Sequence, residues 1–169
     1  MKKNNKLAYE NATQGLLKKL DGMRLERTQR LRAKNLTLLF RDSFKSDAVK
    51  HATFYTDIGY SYKAFPYDSY GFCRASSFSF VALMNSKDWQ LMYIDDLWTY
   101  GPHFYVMHLP TKTPFDLTFD QYAYAGVPVP YYLGKPAPID DDGKNVIVRF
   151  LNAAGLDFTT AVKNIDRDK

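Results

Sequence analysis

One thiol, one imidazole and one carboxylate stand at spacings that invite a chemical reading: Cys73, His103 and Asp116. Cys73 is the only cysteine of the chain and lies near the start of an apolar run, GFCRASSFSFVALM. A thiol attacks a carbonyl as its thiolate, and a free cysteine ionises only near pH about 8.5. Two devices favour the thiolate. One is the positive end of a helix; the other is an adjacent imidazole that takes the proton and holds the charge as an ion pair. The run from Gly71 to Met84 is too long for a typical strand and fits a helix buried on most sides, with Cys73 in its first turn. Gly71, lacking a side chain, would leave room beside the thiol for a substrate carbonyl.

An imidazole acts as a base only when a third group orients it. The stretch GPHFYVMHLPTKTPFDLTFDQY supplies both partners. His103 opens a strand, PTKTP turns the chain, and FDLT returns beside it, so that Asp116 can accept the second ring N–H of His103 and fix its tautomer. Strand alternation puts His103, Tyr105 and Met107 on one face and Phe104, Val106 and His108 on the other. Only one of the two histidines can therefore face the cysteine helix, and His103 has the better orienter. Asp120 is the rival carboxylate. His51, in AVKHATF, reads as a surface or helix-end residue. Taken alone, a single cysteine in an apolar helix is core packing; the downstream histidine and aspartate are what shift the balance towards a nucleophile.

The elements that must position these groups follow from patterning. Residues 6–50 contain no proline and read as helical, with Asp21-Gly22 dividing two helices and the second running from about Met23 to Phe44. Leu16, Leu20 and Met23 would face inward from the first, and Leu31, Leu36, Leu39 and Phe40 from the second. Asp47 would cap a short third helix. Residues 53–70 mix aromatics with Gly, Pro, Ser and Asp and read as loop, and Asp68 or Ser69 would cap the helix that follows. Strands are expected over Gln90–Ile94, His103–Leu109 and Phe115–Thr118. The prolines at 128, 130, 136 and 138 imply an extended surface segment. Asp140-Asp141-Asp142-Gly143 is an acidic turn without the spacing of a calcium loop, and Val146–Ala154 and Phe158–Lys163 close the chain as helices.

The order of three short motifs, GFCRASSF, HFYVMH and FDLTFDQY, resembles that of transglutaminase-like and papain-like cysteine enzymes. In such relatives a Cys opens a helix, a His opens a strand, and Asp-x-Thr-x-x-Gln-Phe follows, with Tyr122 here in place of the Phe. The resemblance spans about residues 65–125. It implies an α+β fold with a papain-like or transglutaminase-like core, a cysteine-bearing helix packed on an antiparallel sheet. It implies Cys73 as nucleophile, His103 as base and Asp116 as orienter, with Gln121 structural or near the site. It implies a peptidase, amidase or acyltransferase working on a peptide or amide substrate without a cofactor. Papain-like enzymes place a Gln upstream of the Cys as oxyanion donor, and no Gln lies between Gln29 and Cys73. The backbone N–H of Cys73, with Tyr67 or Tyr70, is the substitute considered, and Trp98 could wall a cleft.

Composition narrows the alternatives. One cysteine excludes an internal disulfide and any multi-cysteine zinc site, and three histidines are few for a histidine metal site. The opening MKKNNKLAYENATQ has no apolar core of a signal peptide and no run of about 18 apolar residues occurs, so the cytoplasm is the expected compartment and no membrane association is expected. Residues 1–50 hold thirteen Lys and Arg against five Asp and Glu, although the whole chain carries only +5. This basic helical segment is expected to pack on a core formed by 51–169 within a single domain. The competing function is a non-catalytic binding module on the same fold, whose basic helices would contact nucleic acid or an acidic partner.

Overall fold

The computed structural model describes residues 2–54, 68–97, 101–126 and 128–167. Two helices, α1 (Lys2–Gly22) and α2 (Arg27–Ser43), form first. On α1 the buried positions are Tyr9, Leu16 and Leu20, which recur at helical spacing and set one inward face, and Met23 and Leu25 bury the connection. On α2 that face is Ala33, Leu36, Thr37, Phe40 and Arg41. Leu31 and Leu39 were expected on it, yet they are 61% and 45% exposed. Leu39 lies about 100° round the helix from Phe40, so both cannot face the core. The short α3 (Asp47–Thr53) is capped by Ser46, whose side chain accepts the Val49 N–H, one residue before the expected Asp47. Asp47 sits instead in the first turn, where its carboxylate meets the positive helix end.

The cysteine helix, α4 (Cys73–Met84), buries ten of its twelve residues and ends where Asn85 turns left-handed, φ 46°. It packs against a sheet of four antiparallel strands in the order β3-β2-β1-β4, formed by β1 (Trp89–Ile94), β2 (His103–His108), β3 (Thr113–Phe115) and β4 (Lys135–Pro136). β1 and β2 pair from Trp89 with His108 to Ile94 with His103. β3 lies at Thr113–Phe115 and not at the expected Phe115–Thr118, because the Asp116 carboxylate accepts both the N–H and the hydroxyl of Thr118, turning the chain out of the strand. β4 is a two-residue edge within the proline-rich segment. α5 (Asp141–Ala153) begins at an Asp140 cap whose side chain accepts the Gly143 N–H at 2.7 Å. The glycine there is obligatory, since a Cβ would lie 2.5 Å from the Phe78 ring of α4. α6 (Phe158–Arg167) follows, tied to α4 by an Asn164 side-chain N–H donated to the Ala82 carbonyl.

The main core draws on α1, α2, α4, α5, α6 and the sheet. At its centre four phenylalanines meet: Phe44 stacks on Phe72 at 4.4 Å between ring centroids, and Phe150 packs edge-on to Phe40 at 5.2 Å. Phe72 is wholly buried and immediately precedes Cys73, so burial of its ring pins the start of α4. A second, smaller cluster of Met92, Ile94 and Tyr105, joined by Met107, Val129 and Tyr131, lies on the other side of β1 and β2. Among the described residues no helix is long and apolar enough to cross a membrane.

Candidate functional site

Cys73 is the first residue of α4, and Phe72 before it offers no side-chain cap. The positive helix end is thus aimed at the thiol without a competing carboxylate. The chain enters through Gly71 at φ +80°, a conformation that disfavours any side chain, and a Cβ there would lie 2.9 Å from the Phe54 ring. The space beside Gly71 expected for a substrate is therefore filled by Phe54. Neither expected cap caps α4: Asp68 pairs with Lys50 at 2.7 Å, and the buried Ser69 hydroxyl finds no partner among the described residues.

His103 is fully buried at the start of β2. Its Nε2 lies 2.7 Å from Asp116 Oδ2. The β2–β3 pairing, which sets Val106 against Phe115, places Asp116 one step past the strand, nearest Tyr105 rather than directly opposite His103. Tyr105 and His103 share a face, so the carboxylate reaches diagonally. Asp116 accepts from four donors: His103 and the Tyr131 hydroxyl at 3.0 Å on Oδ2, and the Thr118 N–H and hydroxyl at 2.9 and 3.0 Å on Oδ1. Burial opposes its ionisation, but the His103 charge and these hydrogen bonds win and hold its carboxyl below the ordinary range.

The other imidazole nitrogen, Nδ1, is free of Asp116. Cys73 acts on the ring by charge and hydrogen bond, raising its pKa. Burial by itself would lower the His103 pKa; Asp116, by charge and hydrogen bond, outweighs it, and with the smaller contribution of Cys73 pushes it up to about 10. The ring consequently carries its second proton through the neutral range, and a cation stands beside the sulfur. Two groups touch Nδ1: the Tyr122 hydroxyl at 3.2 Å and Gln121 Nε2 at 3.4 Å. Gln121 also accepts the Gly71 N–H at 3.0 Å and donates to the Thr118 hydroxyl at 3.0 Å. One amide thereby links the turn before Cys73 to the loop that holds His103.

Comparison with known families, curated proteins and solved structures found no match.

The remaining candidates separate cleanly. Asp120 belongs to Arg41, which grips it through two nitrogens at 2.7 and 2.9 Å. His108 lies on the opposite face of β2, which, contrary to expectation, is the face that packs on α4; its Nδ1 is 2.8 Å from the Thr111 hydroxyl and its ring is against Trp89, itself edge-on to Phe80. His51 is exposed at the end of α3. Tyr70 is half-buried in the turn before Gly71; the tyrosine hydroxyl found on His103 is that of Tyr122. Tyr67 and Trp98 lie outside the described residues. No group of three His, Cys, Asp or Glu able to hold a metal ion occurs among the described residues.

Tyr131 and Arg41 carry no signal in the sequence. Arg41 is 1% exposed, and besides Asp120 it donates to the Leu117 and Tyr9 carbonyls, with its guanidinium 3.7 Å above the Tyr9 ring. It fastens α1 and α2 to residues 117–120, the continuation of the loop that presents Asp116. Arg41→Met leaves the Asp120 carboxylate buried without its partner and is expected to cost about 3–5 kcal/mol in urea unfolding. The double variant Arg41→Met/Asp120→Leu should lose distinctly less, because no lone charge remains. Other N-terminal cations are also engaged: Lys34 on Asp21, Lys45 on Asp42 and Lys50 on Asp68.

Proposed function

We propose that this chain is a cysteine acyl-transfer enzyme, a peptidase, amidase or transglutaminase-like acyltransferase on a papain-like core. The observation that carries the reading is the buried His103, held on one nitrogen by Asp116, with Cys73 acting on the same ring by charge and hydrogen bond. Two partners with opposite demands on one imidazole make a poor packing motif, since each buried polar group costs solvation unless it is matched. They make a good base: one side fixes the tautomer and stabilises the imidazolium, and the other meets the nucleophile.

The steps balance with these residues alone. The Cys73 proton resides on His103 Nδ1 while the sulfur attacks the carbonyl carbon of an amide or ester, and the carbonyl π electrons move to oxygen. The Cys73 backbone N–H, at the uncapped helix start, is a donor for that oxyanion. Collapse breaks the bond to the leaving amine or alcohol, which takes the proton from His103 and departs, leaving a thioester. Water or an acceptor amine then attacks the thioester, giving its proton to His103, and the sulfur leaves with the bond pair. Water as acceptor gives hydrolysis; an amine gives transfer.

The test is alkylation by iodoacetamide across pH. A free thiol well below its pKa reacts about tenfold faster for each pH unit gained, since only the thiolate attacks. Cys73 is expected to react at pH 6 faster than a model thiol despite being 9% exposed. In Asp116→Asn that excess should be lost. A wild-type rate at pH 6 no greater than that of the model thiol, with the free-thiol slope, would remove the nucleophile from the proposal.

A further inference from the structure

We propose that the cavity behind Tyr122 and Tyr131 is the acyl-binding subsite of this enzyme, and that it takes an uncharged apolar acyl chain. This rests on the acyl-transfer reading above. The cavity measures about 450 Å³, within the range of small-molecule sites. It lies between α1, which contributes Ala8 and Ala12, and the segment carrying Phe119, Tyr122, Val129 and Tyr131.

Its position is the first argument. Tyr122 and Tyr131 line the cavity, and their hydroxyls end on the two members of the histidine–aspartate pair, Tyr122 on His103 Nδ1 at 3.2 Å and Tyr131 on Asp116 Oδ2 at 3.0 Å. The nitrogen met by Tyr122 is the one Asp116 leaves open. A chain lying along the Tyr122 ring towards its hydroxyl runs towards His103.

Its chemistry is the second. The polar side chains in the lining are already committed. The Tyr9 hydroxyl donates to the Arg41 carbonyl, both Asp120 oxygens accept from Arg41, and the Tyr122 and Tyr131 hydroxyls are engaged as described. Asp120 would otherwise put an unbalanced charge into the wall, and Arg41 neutralises it. What faces the void is ring surface and methyl groups. A charged acyl group entering would lose hydration without a partner, whereas a hydrocarbon chain gains about fourfold in transition-state binding for each methylene it buries.

The experiment compares p-nitrophenyl acetate with p-nitrophenyl hexanoate on the full chain, with Cys73→Ser as the background. The wild type is expected to favour the hexanoyl ester at least about tenfold in kcat/KM. Filling the cavity with Ala12→Trp, or with Ala8→Leu should the first variant fold poorly, is expected to erase that preference by lowering hexanoyl turnover towards acetyl turnover. In parallel, hexanamide is titrated into Cys73→Ser by NMR, with the Ala8 and Ala12 methyls as reporters. Turnover of both esters at equal kcat/KM, or filled variants that depress both alike, overturns the subsite and leaves acyl transfer standing. If neither ester turns over above background, the acyl-transfer reading fails and the titration decides the cavity. Hexanamide shifts that the filled variants abolish keep it as an apolar binding site, and their absence overturns it.

Discussion

Cys73→Ala is expected to lower acyl-transfer turnover by a factor of at least about 10³, with little change in the midpoint of urea unfolding. The size follows from the role: with the nucleophile gone, only binding and the oxyanion donors remain, and these retain a small part of such catalysis. The small stability effect follows from the site, because the change to Ala removes only one sulfur at a helix start that Phe72 still pins. His103→Ala should lose as much turnover, but it cannot be read alone. Removing the imidazole leaves Asp116, 3% exposed, as a buried carboxylate without its counter-charge, a situation that costs about 3–5 kcal/mol in comparable pairs. The diagnostic variant is His103→Ala/Asp116→Asn, which should regain much of the stability and none of the turnover. The effects of Cys73→Ala and His103→Ala on rate should not add, because the two residues act as one unit. Turnover retained in folded Cys73→Ala, measured on the same ester, would place the chemistry elsewhere.

What could be read from sequence was what depends on local pattern. The apolar run after Gly71 is a helix because of its length and small residues, and its position puts Cys73 at the start. The alternation in HFYVMH puts His103 and His108 on opposite faces of a strand. Three-dimensional partners were not written there. Arg41 is one of thirteen cations in the first fifty residues, and nothing nearby in the chain separates it from those that stay in solvent; it is buried because Asp120, far along the chain, meets it. Leu31 and Leu39 satisfy a helical spacing as well as Ala33 and Leu36 do, and only the placement of α1 and α4 selects between the two stripes. Asp116 and Asp120 were rivals for one histidine until Arg41 claimed the second. Tyr131 reaches Asp116 from the proline-rich segment, which has no periodicity to reveal a direction.

Asp116→Asn should lower kcat/KM by a factor on the order of 10³–10⁴, by analogy with the loss of the orienting carboxylate from a catalytic triad. The reason here is electrostatic as well as geometric. Burial alone drives the His103 pKa down, and Asp116 is the main force that reverses it and pushes it up to about 10. With an amide in its place burial prevails, the imidazole is neutral at pH 7, and no cation stands beside Cys73. The same coupling makes a stability prediction whose sign can be worked out for each partner. The pKa of His103 is raised from an ordinary 6.5 to about 10, so its contribution is complete below about pH 6.5 and is lost as pH climbs towards 10. The pKa of Asp116 is lowered from an ordinary 3.8, so its contribution is present above about pH 4 and is lost as pH falls further. The stability of wild type relative to Asp116→Asn should therefore be greatest between about pH 4 and 6.5 and decline on both sides. Urea unfolding of the two proteins in a pH series measures it directly. A difference that instead stayed flat from pH 6.5 to 10 would mean that His103 is neutral in the folded protein, and an imidazole that gives up its proton so readily could not hold a thiolate beside it.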